Sequence, residues 1–187
     1  MVPRAALAEA NMTYTLEEFC ADAHNAMEND SGSAGRDAIR AHLEKLLVNS
    51  DFVHEHLSTQ SSGKTLLYHD QEFDFYVMAH GTDAGNRKGK PHDHGASWAV
   101  YGQATGMTNM TIWHRVDDGD QPGHAELAEH ETFPLKPGHA ALFDTGVIHS
   151  TAHPEPARWV RVTGTDLDTI ERYAYDPGRQ VMKRMTP

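Results

Sequence analysis

The chain changes its hydrophobic period once, near residue 60. Before that point apolar side chains recur at three- and four-residue steps: Leu16, Phe19, Cys20, Ala23 and Met27, then Ile39, Leu43, Leu46 and Leu47. Such positions share one face of a helix. Thr15-Leu16-Glu17-Glu18 opens the first set with a threonine three residues ahead of a glutamate, the reciprocal cap of a helix start. The pattern predicts a helix over 16–28, a break at 31–35 and a second helix over 36–48. Asn49, Ser50 and Asp51 end it and cap a short third turn, 52–57. Residues 1–12 are expected to be frayed.

Gln60-Ser61-Ser62-Gly63 reads as a linker, and beyond it the period is two. Phe73, Phe75 and Val77 alternate with Asp74, Tyr76 and Met78. Segments 98–101, 107–116, 125–133, 140–143 and 158–163 read as further strands, punctuated by glycine and proline. Many short, evenly spaced strands predict an all-β barrel or jelly roll with an N-terminal α-helical segment. Residues 1–60 are expected to pack on a barrel formed by 61–187, one domain overall, with one or two helical turns at 166–173 in a short C-terminal extension.

Charge and cysteine content narrow the function classes. The formal charge of −11 argues against nucleic acid, which needs clustered basic surface, and against an anionic membrane surface. One cysteine, Cys20, excludes an internal disulfide and fits a reducing cytoplasm. It falls on the apolar helix face, where a buried, inert thiol is expected. No apolar run reaches signal-peptide or transmembrane length.

The chemistry concentrates at Lys90-Pro91-His92-Asp93-His94-Gly95. In extended chain, side chains alternate faces, so His92 and His94 point together and Asp93 points away. Two converging imidazoles are half of a metal site. In a chain with 14 histidines, a charged loop that carries two of them is the other reading. His24, His42, His54 and His56 lie in the helical part, where surface or packing roles are expected. A third ligand is offered by His149, at the end of Gly138, five residues, Asp144-Thr145-Gly146, two residues, His149.

These two stretches resemble the paired motifs of the cupin superfamily. Its second motif has the spacing of Gly138 to His149, with a proline where Asp144 stands; His153 occupies a usual asparagine place. Its first motif is HxH, a glutamate and a glycine; here His92 and His94 are followed by Ala99 in the glutamate place and then Gly106. A cupin with three histidines and no glutamate resembles the thiol dioxygenases, namely cysteine dioxygenase and its mercaptopropionate-oxidising relatives. The helical N-terminal segment, the Leu67-Tyr68-His69-Asp70 turn and the closing Arg161-Val162-Thr163-Gly164-Thr165-Asp166-Leu167 are similar as well.

The resemblance implies ferrous iron on His92, His94 and His149, with nickel, zinc or manganese as alternatives. It also implies a small anionic substrate and dioxygen as partners, and a homodimer through the sheets. The family's closing strand carries serine, histidine and tyrosine, whereas this chain has Trp159, Arg161 and Thr163. Arg161 suits a carboxylate if its register turns it inward, and lies on the surface if the register slips by one. His80 and Tyr101 are further substrate-side candidates, with a rim histidine and a core tyrosine as the plain readings. Trp98, beside the first motif, is another, and His153 is placed to orient a ligand. Three functions remain open at this point: a thiol dioxygenase; another three-histidine cupin enzyme, such as a diketone- or aromatic-cleaving dioxygenase, an isomerase or a lyase; and a metal or small-molecule sensor without catalysis.

Overall fold

The structure, a computed structural model, describes residues 13–59 and 62–185. The frayed segment expected at 1–12 and the linker residues 60–61 lie outside the described residues. Helix α1 spans Leu16–Asn29. Its cap is reciprocal: the Glu18 N–H donates to Thr15 Oγ1 at 3.2 Å and the Thr15 N–H to Glu18 Oε2 at 2.8 Å. Helix α2, Ser33–Leu47, starts earlier than the sequence pattern suggests. Only Asp30 to Gly32 leave the helix, in a turn closed by Gly32 N–H on Asp30 Oδ1 at 2.6 Å. Helix α3, Ser50–Val53, is capped by Asn49 and runs into one π-type turn, His54–Ser58.

Eleven strands follow among the described residues: β1 Gly63–His69, β2 Tyr76–Thr82, β3 Arg87–Lys88, β4 Ala99–Thr105, β5 Thr108–Arg115, β6 Leu127–Leu135, β7 Ala140–Phe143, β8 Ile148–His153, β9 Ala157–Thr163, β10 Arg172–Asp176 and β11 Val181–Met185. They form a five-stranded sheet in the order β1-β2-β9-β4-β7, a four-stranded sheet in the order β3-β8-β5-β6, and the β10–β11 hairpin. All pairings are antiparallel. The barrel expected from the sequence is thus two facing sheets, an arrangement consistent with a jelly roll.

Several local expectations change. Strand β1 was not foreseen, because it is a largely exposed edge strand without period-two apolar patterning. Phe73 and Phe75 precede β2 instead of opening it: the Asp70 carboxylate accepts from the Glu72 and Phe73 N–H groups and folds that stretch into a turn. Residues 166–173 are not helical. Thr169 N–H closes a turn on the Asp166 carbonyl at 3.0 Å, and Arg172 already begins β10.

Alternation along the strands sorts the molecule into four layers. The outward row of the five-stranded sheet, Val77, Ala79, Val100, Val160 and Val162, packs against Phe19, Ala23, Ile39, Leu43 and Leu47 of α1 and α2. Gly102 lets α2 come close, since a Cβ there would stand 2.6 Å from Leu43 Cδ2. Cys20 is buried in this layer and its thiol is pushed up to about 12, by burial and then by Asp70 and Glu17. The inward row contributes Ala99, Tyr101 and Phe143 to a second core shared with Met110 and Leu135 of the other sheet. A third core, Ala125, Ile148 and Tyr175, lies between the far face of the four-stranded sheet and the hairpin. Among the described residues no helix is long and apolar enough to cross a membrane.

One polar contact pins α1 to the five-stranded sheet. His24 Nδ1 lies 2.8 Å from Asp70 Oδ2. The bond to Asp70 raises the imidazole above 6.5, against a smaller opposing effect of burial. Burial pushes Asp70 up, but hydrogen bonds from Phe73, His24, Glu72 and Tyr68 outweigh it and hold the carboxyl below 3.8. The raised histidine contributes stability below 6.5 that is lost as pH rises through its folded value; the lowered carboxylate contributes above 3.8 and loses it as pH falls through its own. His24→Ala is therefore expected to cost most stability near pH 5 and progressively less above pH 7, as read from urea melts of both proteins across pH.

Candidate metal centre

Three histidines converge between the sheets. Pro91 to Asp93 form an extended segment laid against β8. His92 N–H donates to the His149 carbonyl at 2.9 Å and His149 N–H returns to the His92 carbonyl at 3.0 Å. Residues paired this way face each other across a ladder with side chains on the same side. The His92 and His149 ring centres are accordingly 4.6 Å apart. His94, two residues on, shares that side and stands 4.8 Å from His149 and 5.3 Å from His92. One ring nitrogen from each lies within 4.8 Å of the others.

The donor set fits a metal ion. His149 is fully buried, and its Nε2 has no hydrogen-bond partner. A buried polar atom left so costs free energy unless something binds it. His92 Nδ1 lies 3.0 Å from the Lys90 carbonyl, which fixes Nδ1 as the donor and leaves Nε2 with its lone pair. Burial lowers all three imidazoles from 6.5; for His94 and His149 the neighbouring histidines add to it and the drop is large. They are therefore neutral at pH 7, the form that ligates. Neutral imidazoles suit iron, nickel, zinc and copper alike.

The register of the five-stranded sheet builds the opposite wall in rows. Ala99, Thr163 and Tyr76 form one; Tyr101, Arg161 and Met78 the next; Gln103, Trp159 and His80 a third. Arg161 is thus on the inward face, not the surface. It raises the cost of protonating each of the three histidines. Its Nε is buried without a hydrogen-bond partner, and Nη2 touches Met78 Sδ at 3.9 Å. The Tyr101 hydroxyl is 3.3 Å from His94 Nε2. Ala99, on the row beside Tyr101, is buried and brings no donor.

The other candidates fall elsewhere. Trp159 is stacked between His80, at 5.3 Å, and His153, at 4.7 Å. This ring stack lines a cavity of about 320 Å³ together with Lys64, Arg87 and Thr151. Burial, with Arg161 and Lys64 nearby, pushes His80 down to about 2, so it is neutral. His153 Nδ1 is 3.0 Å from Thr108 Oγ1. Thr163 spends its hydroxyl on the Thr165 carbonyl at 2.8 Å. Trp98 is on the opposite face, in the helix-side core, with the Arg36 guanidinium 5.9 Å from its ring.

Two features of the site escaped the sequence. Phe143 stacks on His149 at 4.2 Å, six residues before it in chain and so inside the very motif that points to His149. The β10–β11 hairpin closes behind Asp93, where the sequence reading assigned no element beyond the one or two helical turns expected at 166–173.

No family model and no curated protein matches the chain. Among solved structures, those similar to it include cupin-domain proteins. A cupin-2 domain-containing protein from Shewanella frigidimarina shares 14% identity over 55% of this chain and 80% of that one, with a TM-score of 0.40. KdgF from a Halomonas species shares 17% over 54% and 76%, with a TM-score of 0.41. Oxalate oxidase in complex with the substrate analogue glycolate shares 14% over 57% of this chain and 53% of that one, about half its length, with a TM-score of 0.41.

If the three histidines form one site, His149→Ala abolishes stoichiometric binding of a divalent metal. His124→Ala, altering a histidine whose Nε2 lies 3.5 Å from Glu126 Oε1, leaves it intact. Metal per chain after loading and desalting decides this, and full occupancy in His149→Ala would remove the third ligand from the assignment.

Proposed function

We propose that the chain is a cupin-type, iron(II)-dependent dioxygenase that oxidises the sulfur of a small anionic thiol. The observation that carries the reading is Arg161: a partly buried guanidinium on the inward face beside three neutral imidazoles, its Nε buried without a hydrogen-bond partner. A buried charge is costly unless paired. Here the natural partner is the carboxylate of a ligand, which the planar fork of arginine matches. With three neutral ligands and alanine in the glutamate place, the charge of the metal is left for an anionic substrate to balance.

The chemistry a ferrous ion supplies when bound is proximity, with open coordination positions for a thiolate and for dioxygen. The overall change, RSH + O2 → RSO2H, places both oxygen atoms on sulfur and needs no added reductant. Around it, Arg161 holds the carboxylate end of the substrate. Tyr101 places its hydroxyl beside His94 Nε2, within reach of an anionic atom of the substrate. Phe143, packed on His149, excludes water from that side.

The absence of the serine, histidine and tyrosine set, with Trp159 locked in its stack, favours a second reading: another three-histidine cupin enzyme, with iron, nickel, zinc or manganese. Oxygen uptake separates the two. Iron-loaded protein is expected to consume oxygen with cysteine, mercaptopropionate or mercaptosuccinate, but not with cysteamine, which has no carboxylate, nor when loaded with zinc. Arg161→Gln removes a charge-assisted bond worth about 1.5–3 kcal/mol, so KM for the active thiol rises roughly 10- to 100-fold. No uptake with any thiol by protein that holds iron overturns the first reading and sends the test to diketones and aromatic compounds.

A further inference from the structure

The β10–β11 hairpin touches none of the three imidazoles in a ring contact, yet it grips the backbone that carries two of them. Asp93 stands between His92 and His94 and points the other way, into the core behind the four-stranded sheet. It is buried, and its carboxylate accepts three hydrogen bonds: from Gly95 N–H at 2.9 Å, Tyr173 N–H at 3.1 Å and the Tyr175 hydroxyl at 2.7 Å. The main chain is fastened as well. Asp93 N–H donates to the Tyr173 carbonyl at 3.1 Å, and Tyr175 N–H to the Pro91 carbonyl at 2.8 Å. Gly95 adopts φ +58°, and a Cβ there would stand 2.0 Å from the Glu171 carbonyl oxygen, so the hairpin's approach leaves no room for a side chain.

The asymmetry between the ligands gives this grip its meaning. His92 and His149 lock each other through paired main-chain bonds. His94 has no such partner: it begins a turn, closed by Ser97 N–H on its own carbonyl at 3.0 Å. What sets its backbone is the residue before it. On the carboxylate of that residue, Oδ1 is taken by two N–H donors, while Oδ2 has the Tyr175 hydroxyl. We propose that Tyr175 is a positioning residue for the metal centre, holding Asp93 so that the segment from Pro91 to Gly95 presents His92 and His94 together to His149. This rests on the reading of the three histidines as a metal site, not on the thiol chemistry.

Cobalt(II) is the probe, added to the full chain. Affinity comes from competition with a chelator and coordination geometry from the visible absorption bands. Tyr175→Phe keeps the ring in its core and removes only the hydroxyl. It is expected to weaken cobalt binding about 10-fold and to shift the bands, the size of effect typical of groups that orient ligands. Asp93→Asn, which still accepts from the N–H groups and can donate to Tyr175, retains most of the affinity, whereas Asp93→Ala loses at least as much as Tyr175→Phe. Tyr173→Phe is the control: its hydroxyl bonds Glu171, and its variant binds as the parent does. A purely structural hydroxyl lowers the melting temperature and leaves cobalt affinity and spectrum unmoved; that result overturns the proposal, as does parental affinity in Asp93→Ala should Tyr175→Phe not fold. A parent chain that binds no cobalt overturns the metal centre itself. Cobalt binding that follows these expectations in a protein inactive on thiols upholds the positioning role and rejects only the reaction.

Discussion

Two main-chain hydrogen bonds carry the architecture of the site. The reciprocal pair between His92 and His149 joins a short extended segment to β8 and forces two imidazoles, 57 residues apart in the chain, onto the same side of the ladder. Every other element of the centre follows from that bridge. Alternation brings His94 round beside His92 and turns Asp93 away. The same alternation along β8 turns Thr151 and His153 inward and Ile148 outward to the hairpin core. A break of register there, by one residue, would exchange the histidine face for the apolar one.

The layers around this bridge explain why neutral imidazoles are the natural chemistry of the interior. Sheet faces covered on both sides leave little water, and burial is the first cause of the lowered affinity for protons in His80, His92, His94, His149 and His153. A glutamate in the place of Ala99 would carry its own desolvation cost into the same space. The chain thus keeps its acidic residues, which give the net charge of −11, largely out of the sandwich while Arg161 stays inside.

Much of this was legible in the sequence because it rests on short-range pattern. The cap at Thr15 and the helices follow from a period of 3.6, whereas period two left Arg161 either inward or on the surface until the pairing with Tyr101 and Met78 fixed it. His92 and His94 were legible through their spacing, and His149 through the resemblance of its stretch to the second cupin motif. What stayed hidden depends on partners distant in the chain. Strand β1 has an edge strand's polar pattern, and the hairpin from Arg172 on carries no pattern that stands out until the sheet it covers is known. Trp98 neighbours the HxH motif in sequence, but it packs under Arg36 on the far side of the five-stranded sheet, a placement that tertiary packing decides.

The stack of His80, Trp159 and His153 bears on what the cavity beside it can admit. Three rings at 4.7–5.3 Å, nearly parallel, span from the five-stranded sheet to β8 one row beyond Arg161. Both faces of the indole are thereby in use, so a ligand in the cavity at Lys64 and Arg87 meets ring edges, not an open aromatic face. A bulky aromatic ligand there would have to displace Trp159 from its two stacking partners, whereas a small one would leave the stack as it stands.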